Sequence, residues 1–416
     1  MQFALALPGR SGVMAAVVLS ASALSVAGCS SAVKPALESG APSGTVLKIM
    51  SSLPRTSDEH NHTTAMVNGI RMAIEETGGK IDGYEIVYED LDDTGPQHDG
   101  WDPAVESRNA HEAAADRLVV GYLGSFNTGA AQIAMPILNR AGCVMVSPSS
   151  TYPGLTKPGF GVNEPGIYRP SGTVNFFRVV PTDDLQGAAG AEWAKELGAT
   201  KVFVLHDRER YGEVIAAVFE KRAREIGLEI LKVEGIDPKA ADYRSLVPEI
   251  RSSGADFIYF GGTLRTNAGQ LAKDLRSGGV EAPLMVPDGC FEEAFIRTAG
   301  AANLNGKTYL TFGGLPADRL TGRLADFSRR YEARHGVAPE AYAIYGHEAA
   351  HVLLAAIDRA ETKDRASILA AVAATREFDG AKGTWSFDGN GDTSMQIISG
   401  QAVIDGKFTF QKVLRR

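Results

Sequence analysis

Apolar and polar positions along this chain switch between a period near 3.6 and a period of 2 or short apolar runs. Val46–Met50 is an apolar run. Thr63–Thr77 then sets Met66, Ile70, Ala73 and Ile74 on one helical face. Tyr84–Glu89 reads as a strand, Pro103–Ala115 as a helix, Leu118–Leu123 as a buried strand, Thr128–Arg140 as a helix and Cys143–Val146 as a strand. A second block with the same rhythm begins near Asp183. Helices Leu185–Leu197, Glu213–Ile226, Tyr243–Ser253 and Ala268–Ser277 precede, in turn, strands Lys201–His206, Glu229–Val233, Asp256–Phe260 and Leu284–Val286. After a strand at Tyr309–Phe312 come helices Asp318–His335, Ala341–Ala360 and Ala366–Thr375, then strand-like pieces at Thr384–Phe387, Met395–Ile404 and Phe408–Val413. Such alternation predicts an α/β protein with two doubly wound parallel sheets in tandem. The last helices and strands are expected to complete the two units rather than form a third.

The start of the chain breaks this rhythm. Arg10 is the only charge in residues 1–28, and Val13–Leu24 is apolar but short for a membrane span, which fits the core of a signal peptide. It ends at Val26-Ala27-Gly28-Cys29, and small residues before a cysteine resemble a bacterial lipobox. In such signals the cysteine is lipidated and becomes the new N-terminus. The alternative is a plain secretory signal with a chance cysteine. Residues 29–45 are rich in Ser, Ala, Pro and Gly and read as a flexible tether. The expectation is a signal peptide over 1–28, lipidation at Cys29 and a soluble body held at the outer face of the bacterial cytoplasmic membrane.

Composition narrows the picture further. The 416 residues are 44% hydrophobic and 22% charged, an ordinary globular balance that excludes disorder over most of the chain. With 42 basic against 50 acidic residues and no long basic run, nucleic acid is not an expected partner. Three cysteines exclude a disulfide-rich scaffold and a four-cysteine zinc site.

No phosphate-binding P-loop, dinucleotide fingerprint or G-x-S-x-G elbow is present. Ligands of open α/β sheets bind beyond the carboxyl ends of the strands, so those ends carry the candidate chemistry. They read Gly124-Ser125-Phe126-Asn127-Thr128, Ser147-Pro148-Ser149-Ser150-Thr151, Asp207-Arg208-Glu209-Arg210-Tyr211-Gly212, Gly261-Gly262-Thr263 and Pro287-Asp288-Gly289. The first two offer hydroxyls and N-terminal amides suited to a carboxylate. Asp288 suits an ammonium group, and Tyr211 adds an aromatic body with a hydroxyl tip. These are the parts needed to hold an amino-acid zwitterion.

The stretches NGIRMAIEETGGKIDG (68–83), VVGYLGSFNTGAA (119–131), VSPSSTYPGLT (146–156), FFRVVPTDDLQG (176–187), HDRERYGE (206–213), DFIYFGG (256–262) and GTWSFDGNGD (383–392) resemble, in order, substrate-binding proteins of branched-chain amino acid ABC transporters. These are periplasmic binding proteins of the type with three interlobe crossings. The resemblance implies an N-terminal lobe over 46–180 and 313–381 and a C-terminal lobe over 181–312 and 382–416. It implies a monomer that captures a small ligand between the lobes and delivers it to an ABC permease, with no cofactor. Carried over by position, Ser125 and Thr151 would bind the ligand carboxylate and amino group, with the backbone around Ser149 sharing that work. Tyr211 would reach in from the second lobe, and Asp288 would meet the ammonium. Thr263, His62 and His347 stand at or near positions where the family has aromatic residues, and residues 161–173 lengthen a loop before the first crossing.

Simpler roles exist for each residue. Ser125 could cap a helix, Ser147–Thr151 could be a turn, Asp288 could cap the next helix and Tyr211 could cover an apolar edge. His60 and His62 invite a metal reading but lack an evident third ligand, so a solvated loop at a cleft rim is expected. Asp388–Asp392 begins like a calcium loop, but Ser399 stands where the bidentate Glu belongs, so a tight turn is expected. Cys143 reads as an inert core thiol, and its pairing with Cys290 stays open. A sensor in signalling is the alternative to a transport receptor. A hydrolase using Ser147 or Ser150 with His206 lacks a third member.

Overall fold

The computed structural model describes residues 44–97, 100–315, 319 and 322–415. The signal peptide, Cys29 and most of the tether lie outside the described residues.

The first sheet comprises β1 (Val46–Leu53), β2 (Lys80–Ile81), β3 (Tyr84–Asp92), β4 (Val119–Gly124), β5 (Val144–Ser147) and β6 (Phe176–Arg178), in the spatial order β2-β3-β1-β4-β5-β6. Every pairing in it is parallel except the β2–β3 hairpin at the edge. The second sheet comprises β7 (Lys201–His206), β8 (Glu229–Gly235), β9 (Phe257–Gly261), β10 (Leu284–Val286) and β11 (Thr308–Phe312). They pair as β8-β7-β9-β10-β11. After β12 (Phe378–Gly380) and β13 (Gly383–Trp385), which form a separate hairpin, β14 (Ile398–Ile404) and β15 (Lys407–Arg415) add antiparallel strands beyond β11. Both sheets thus carry the doubly wound order that puts the first strand between the second and the third. The point where the order reverses falls between β1 and β4 in one, and between β7 and β9 in the other.

The helices are α1 (His60–Glu76), α2 (Pro103–Ala115), α3 (Thr128–Arg140), α4 (Asp183–Glu196), α5 (Arg210–Glu225), α6 (Val247–Ser253), α7 (Ala268–Ser277), α8 (Glu293–Ala299), α9 (Ala301–Leu304), α10 (Arg323–His335), α11 (Ala343–Arg359) and α12 (Arg365–Ala373). β4 and β9 are buried along their whole length, as strands covered by helices on both faces must be. Local chemistry sets several helix starts. Asp102 accepts from the backbone of Ala104 (2.8 Å) and Val105 (3.0 Å), with Pro103 at the first helical position. The chain changes sheets three times. It passes from β6 to α4, and returns from β11 to α10–α12, of which α11 packs on α1 and β5 and α12 on β4 and β5. It leaves again through β12–β13 to β14. Among the described residues no helix is long and apolar enough to cross a membrane.

Two expectations change. α1 starts at His60, and its first turn takes His62 into the interior, so His62 is not on a solvated loop. The segment Tyr243–Ser253 becomes helical only at Val247, next to Pro248, a residue suited to a first turn. Cys143 and Cys290 are both buried and unpaired. Asp388–Asp392 forms the expected tight turn, closed by Asp388 N–H on Asp392 O (2.8 Å). The Asp392 carboxylate accepts from the buried Arg178 (2.7 Å).

Candidate functional site

A cavity between the two sheets is lined by Phe126, Asn127, Thr128, Ser149, Thr151, Tyr211, Thr263, Asp288, Gly289 and Tyr342. The lining comes from the loops after β4, β5, β9 and β10, from the first turn of α5 and from the residue before α11. These lie at the carboxyl ends of the strands, beside both reversal points.

Of the residues singled out in the sequence, Ser149, Thr151, Tyr211, Thr263 and Asp288 line the cavity together. Ser125 does not. Glu106 is fully buried and needs donors. It takes the Ser125 hydroxyl (2.7 Å) along with those of Ser52 (2.5 Å) and Tyr122 (3.1 Å). Burial pushes the Glu106 carboxyl up to about 7, against these three donors. The part of Ser125 that serves the site is its carbonyl, which accepts from Ser147 (3.0 Å), Ser150 (2.8 Å) and Ser149 (3.5 Å). Asn127, not Ser125, precedes the first helical residue of α3.

On this first wall, α3 points its N-terminus at the cavity through Thr128, with Ser149 and Thr151 beside it. Unsatisfied amides of a helix start together with hydroxyls form an anion-binding surface. On the opposite wall Asp288 is 6% exposed. Its Oδ1 accepts from Gln186 (2.7 Å) and from the Tyr211 hydroxyl (2.7 Å), and its Oδ2 from the Tyr342 hydroxyl (2.5 Å). Burial, with Asp288 next, pushes both phenols well above their ordinary value, so they act as donors. Among the described residues no cation pairs with Asp288. Asp183, at the first position of α4, is fully buried with no hydrogen-bond partner at either carboxylate oxygen among the described residues. Burial, and then the Asp288 charge, pushes its carboxyl well above the usual range. The site therefore has an anion-accepting wall facing an acidic one.

His62 stands behind the cavity. Its ring lies 4.7 Å from that of Tyr342 and 6.0 Å from that of Phe126. Nδ1 bonds Glu340 (3.0 Å), and Nε2 lies 3.0 Å from Glu292. Burial pulls the imidazolium down, but Glu340, Glu292 and Glu59 outweigh it and raise it to about 9. His347 is away from the lining. It bonds Glu76 and packs on Phe327. The residues missed in the sequence are Tyr342, Phe126, Gln186 and Asp183. Tyr342 carried no local signal, because it joins the site only through the return of the chain at α11. Asp183 and Gln186 were visible in the PTDDLQG stretch as acidic and polar residues at a helix start.

Ser147 and Ser150 donate to the Ser125 carbonyl, and His206 accepts from the Arg208 backbone (3.2 Å), so neither serine is paired with His206.

An amino acid binding protein from Pseudomonas aeruginosa is 30% identical over 64% of this chain and 68% of its own length. A Leu/Ile/Val-binding protein homolog from Brucella suis is 26% identical over 86% of this chain and 91% of its own. The crystal structure of a leucine binding protein from Thermotoga maritima superposes with a TM-score of 0.78 at 26% identity, covering 88% of this chain and 98% of that one. The sequence model of the family described as periplasmic binding protein matches residues 47–404. With that match spanning most of its length, the chain belongs to the periplasmic binding protein family, as an extracytoplasmic solute-binding protein of two α/β units and not an enzyme.

Proposed function

We propose that this protein captures an amino acid, or a zwitterion of similar size, between two lobes and delivers it to an ABC importer. The observation that carries this reading is Asp288, buried and given, among the described residues, three neutral donors and no cation, across a small cavity from the α3 N-terminus. A carboxylate so placed is satisfied by an incoming ammonium. The ligand's own carboxylate then falls to the amides and hydroxyls of the facing wall. The relatives' names, which include amino acid and leucine binding, support the same class.

In this reading the lobes are 46–180 with 313–381 and 181–312 with 382–416, and they close about the three crossings. The protein works as a monomer, tethered through a lipid on Cys29, and its closed form is what a permease in the membrane recognises. Transport is favoured over signalling because the relatives above are named as amino acid, Leu/Ile/Val and leucine binding proteins.

A thermal-shift screen of the purified protein against amino acids, amides and aromatic acids tests this. A ligand at about a hundred times its Kd stabilises by about 2.7 kcal/mol. A shift with free amino acids that disappears for their N-acetyl forms supports the reading. Equal shifts with the N-acetyl forms, or shifts only with acids lacking an amine, overturn the ammonium assignment.

A further inference from the structure

Away from the cavity, α11 carries the sequence His347-Glu348-Ala349-Ala350-His351. Residues four apart on a helix share a face, and two histidines so spaced with an adjacent glutamate form a recognised metal-ligating arrangement. The structure brings the three side chains together. One ligand atom from each of His347, Glu348 and His351 lies within 4.8 Å of the others. The two imidazole centroids are 5.6 Å apart.

The hydrogen bonding prepares His347 as a ligand. His347 is 2% exposed, and its Nε2 lies 2.9 Å from the Glu76 carboxylate. A carboxylate can only accept, so Nε2 carries the proton and Nδ1 is left with its lone pair. That Nδ1 is buried and meets no hydrogen-bond partner among the described residues, and the same is true of His351 Nδ1. A carboxylate holding the far nitrogen of a ligating histidine is the usual outer shell of a zinc site. Buried ring nitrogens without a hydrogen-bond partner are costly unless something fills them.

We propose that His347, His351 and Glu348 form a binding site for a divalent cation of the zinc class, with Glu76 as the positioning residue for His347. Imidazole nitrogens with one carboxylate oxygen suit Zn²⁺ rather than Mg²⁺ or Ca²⁺. The site binds and does not hydrolyse. In a zinc protease the glutamate stays free as a base, whereas here Glu348 accepts from Trp385 Nε1 (2.5 Å) and from the Ala381 backbone (3.0 Å). Both partners lie on the third crossing, so an ion that draws on Glu348 also draws on the β12–β13 hairpin.

Calorimetric titration of the metal-free purified protein with Zn²⁺ tests the proposal. The expected result is one ion per chain, with affinity reduced more than tenfold in His351→Ala, whose half-buried side chain can be removed without opening the core. Glu348→Gln is expected to lose more than tenfold as well, and Glu76→Gln about 10–100-fold. His111→Ala, an exposed histidine on α2, is expected to bind like wild type. Melting temperatures in chelator establish that each variant is folded. No heat from the wild type, or an unchanged isotherm in folded His351→Ala or Glu348→Gln, overturns the site.

Discussion

At the scale of single residues, the site turns on who donates to whom. Among the described residues Asp288 has three neutral donors and no cation, so an ammonium would supply a full counter-charge. Asp288→Ala is expected to weaken binding of an amino-acid ligand by about 3–5 kcal/mol, because it strands a buried ammonium. Calorimetry on the variant checks this, and an unchanged Kd would remove Asp288 from the site. His62 makes a separate prediction. Its native value near 9 lies above the unfolded value of 6.5, so its bonds to Glu340 and Glu292 stabilise the fold fully below pH 6.5. That contribution fades between pH 6.5 and 9 and is gone above 9, with a ceiling of about 3 kcal/mol. Urea midpoints of wild type and His62→Gln at pH 6, 8 and 10 are expected to converge as pH rises. Of the residues that line the cavity, Asp288, Tyr211, Ser149, Thr151 and Thr263 were legible, because each sits where a strand ends. The role of Ser125 was not. Its hydroxyl is directed by Glu106, nineteen positions back, and nothing in either local stretch announces that pair.

At the scale of elements, the helix and strand periods identified nearly every unit, and the errors fell at ends. α1 begins earlier than its apolar stripe, because its first turn is held by polar bonds: His60 N–H to Ser57 O (3.0 Å) and the His62 contacts. The union of α11 with α1 was beyond sequence reading, since both stripes look alike and their partners are hundreds of residues apart. Two glycines make that union. A Cβ on Gly69 would strike the Ala343 carbonyl, and one on Gly346 would strike Met66. Gly346→Ala is expected to cost about 1–3 kcal/mol as overpacking, despite its better helix propensity. Chemical denaturation checks the sign: a gain in stability would mean that the two helices can move apart freely.

At the scale of the whole molecule, side chains of the two halves meet across the cleft outside the cavity. Arg210 lies 4.4 Å from the Tyr152 ring centroid and 3.4 Å from Glu164, a residue of the lengthened loop. Arg265 lies 3.7 Å from Glu59, while Asn61 and His62 reach Glu292. These ties hold only while the halves are together. One partly exposed cation over a ring is worth about 0.5–1 kcal/mol. Arg210→Ala is therefore expected to speed ligand release about two- to fivefold, with little change in melting temperature. Stopped-flow release measures this, and an unchanged release rate would mean that the contact is absent from the closed state. The two-unit architecture was legible from alternation alone. The facing of the two sheets was not, because it depends on crossings whose residues are few and chemically plain.

The carbonyl of Ser125 gathers hydroxyls from the following loop, Ser147, Ser149 and Ser150, into one clasp. This has an evolutionary consequence. The clasp ties this wall together through the main chain and three small residues. Thr263 and His62 take no part in it. A lineage could therefore exchange those two side chains without rebuilding this wall.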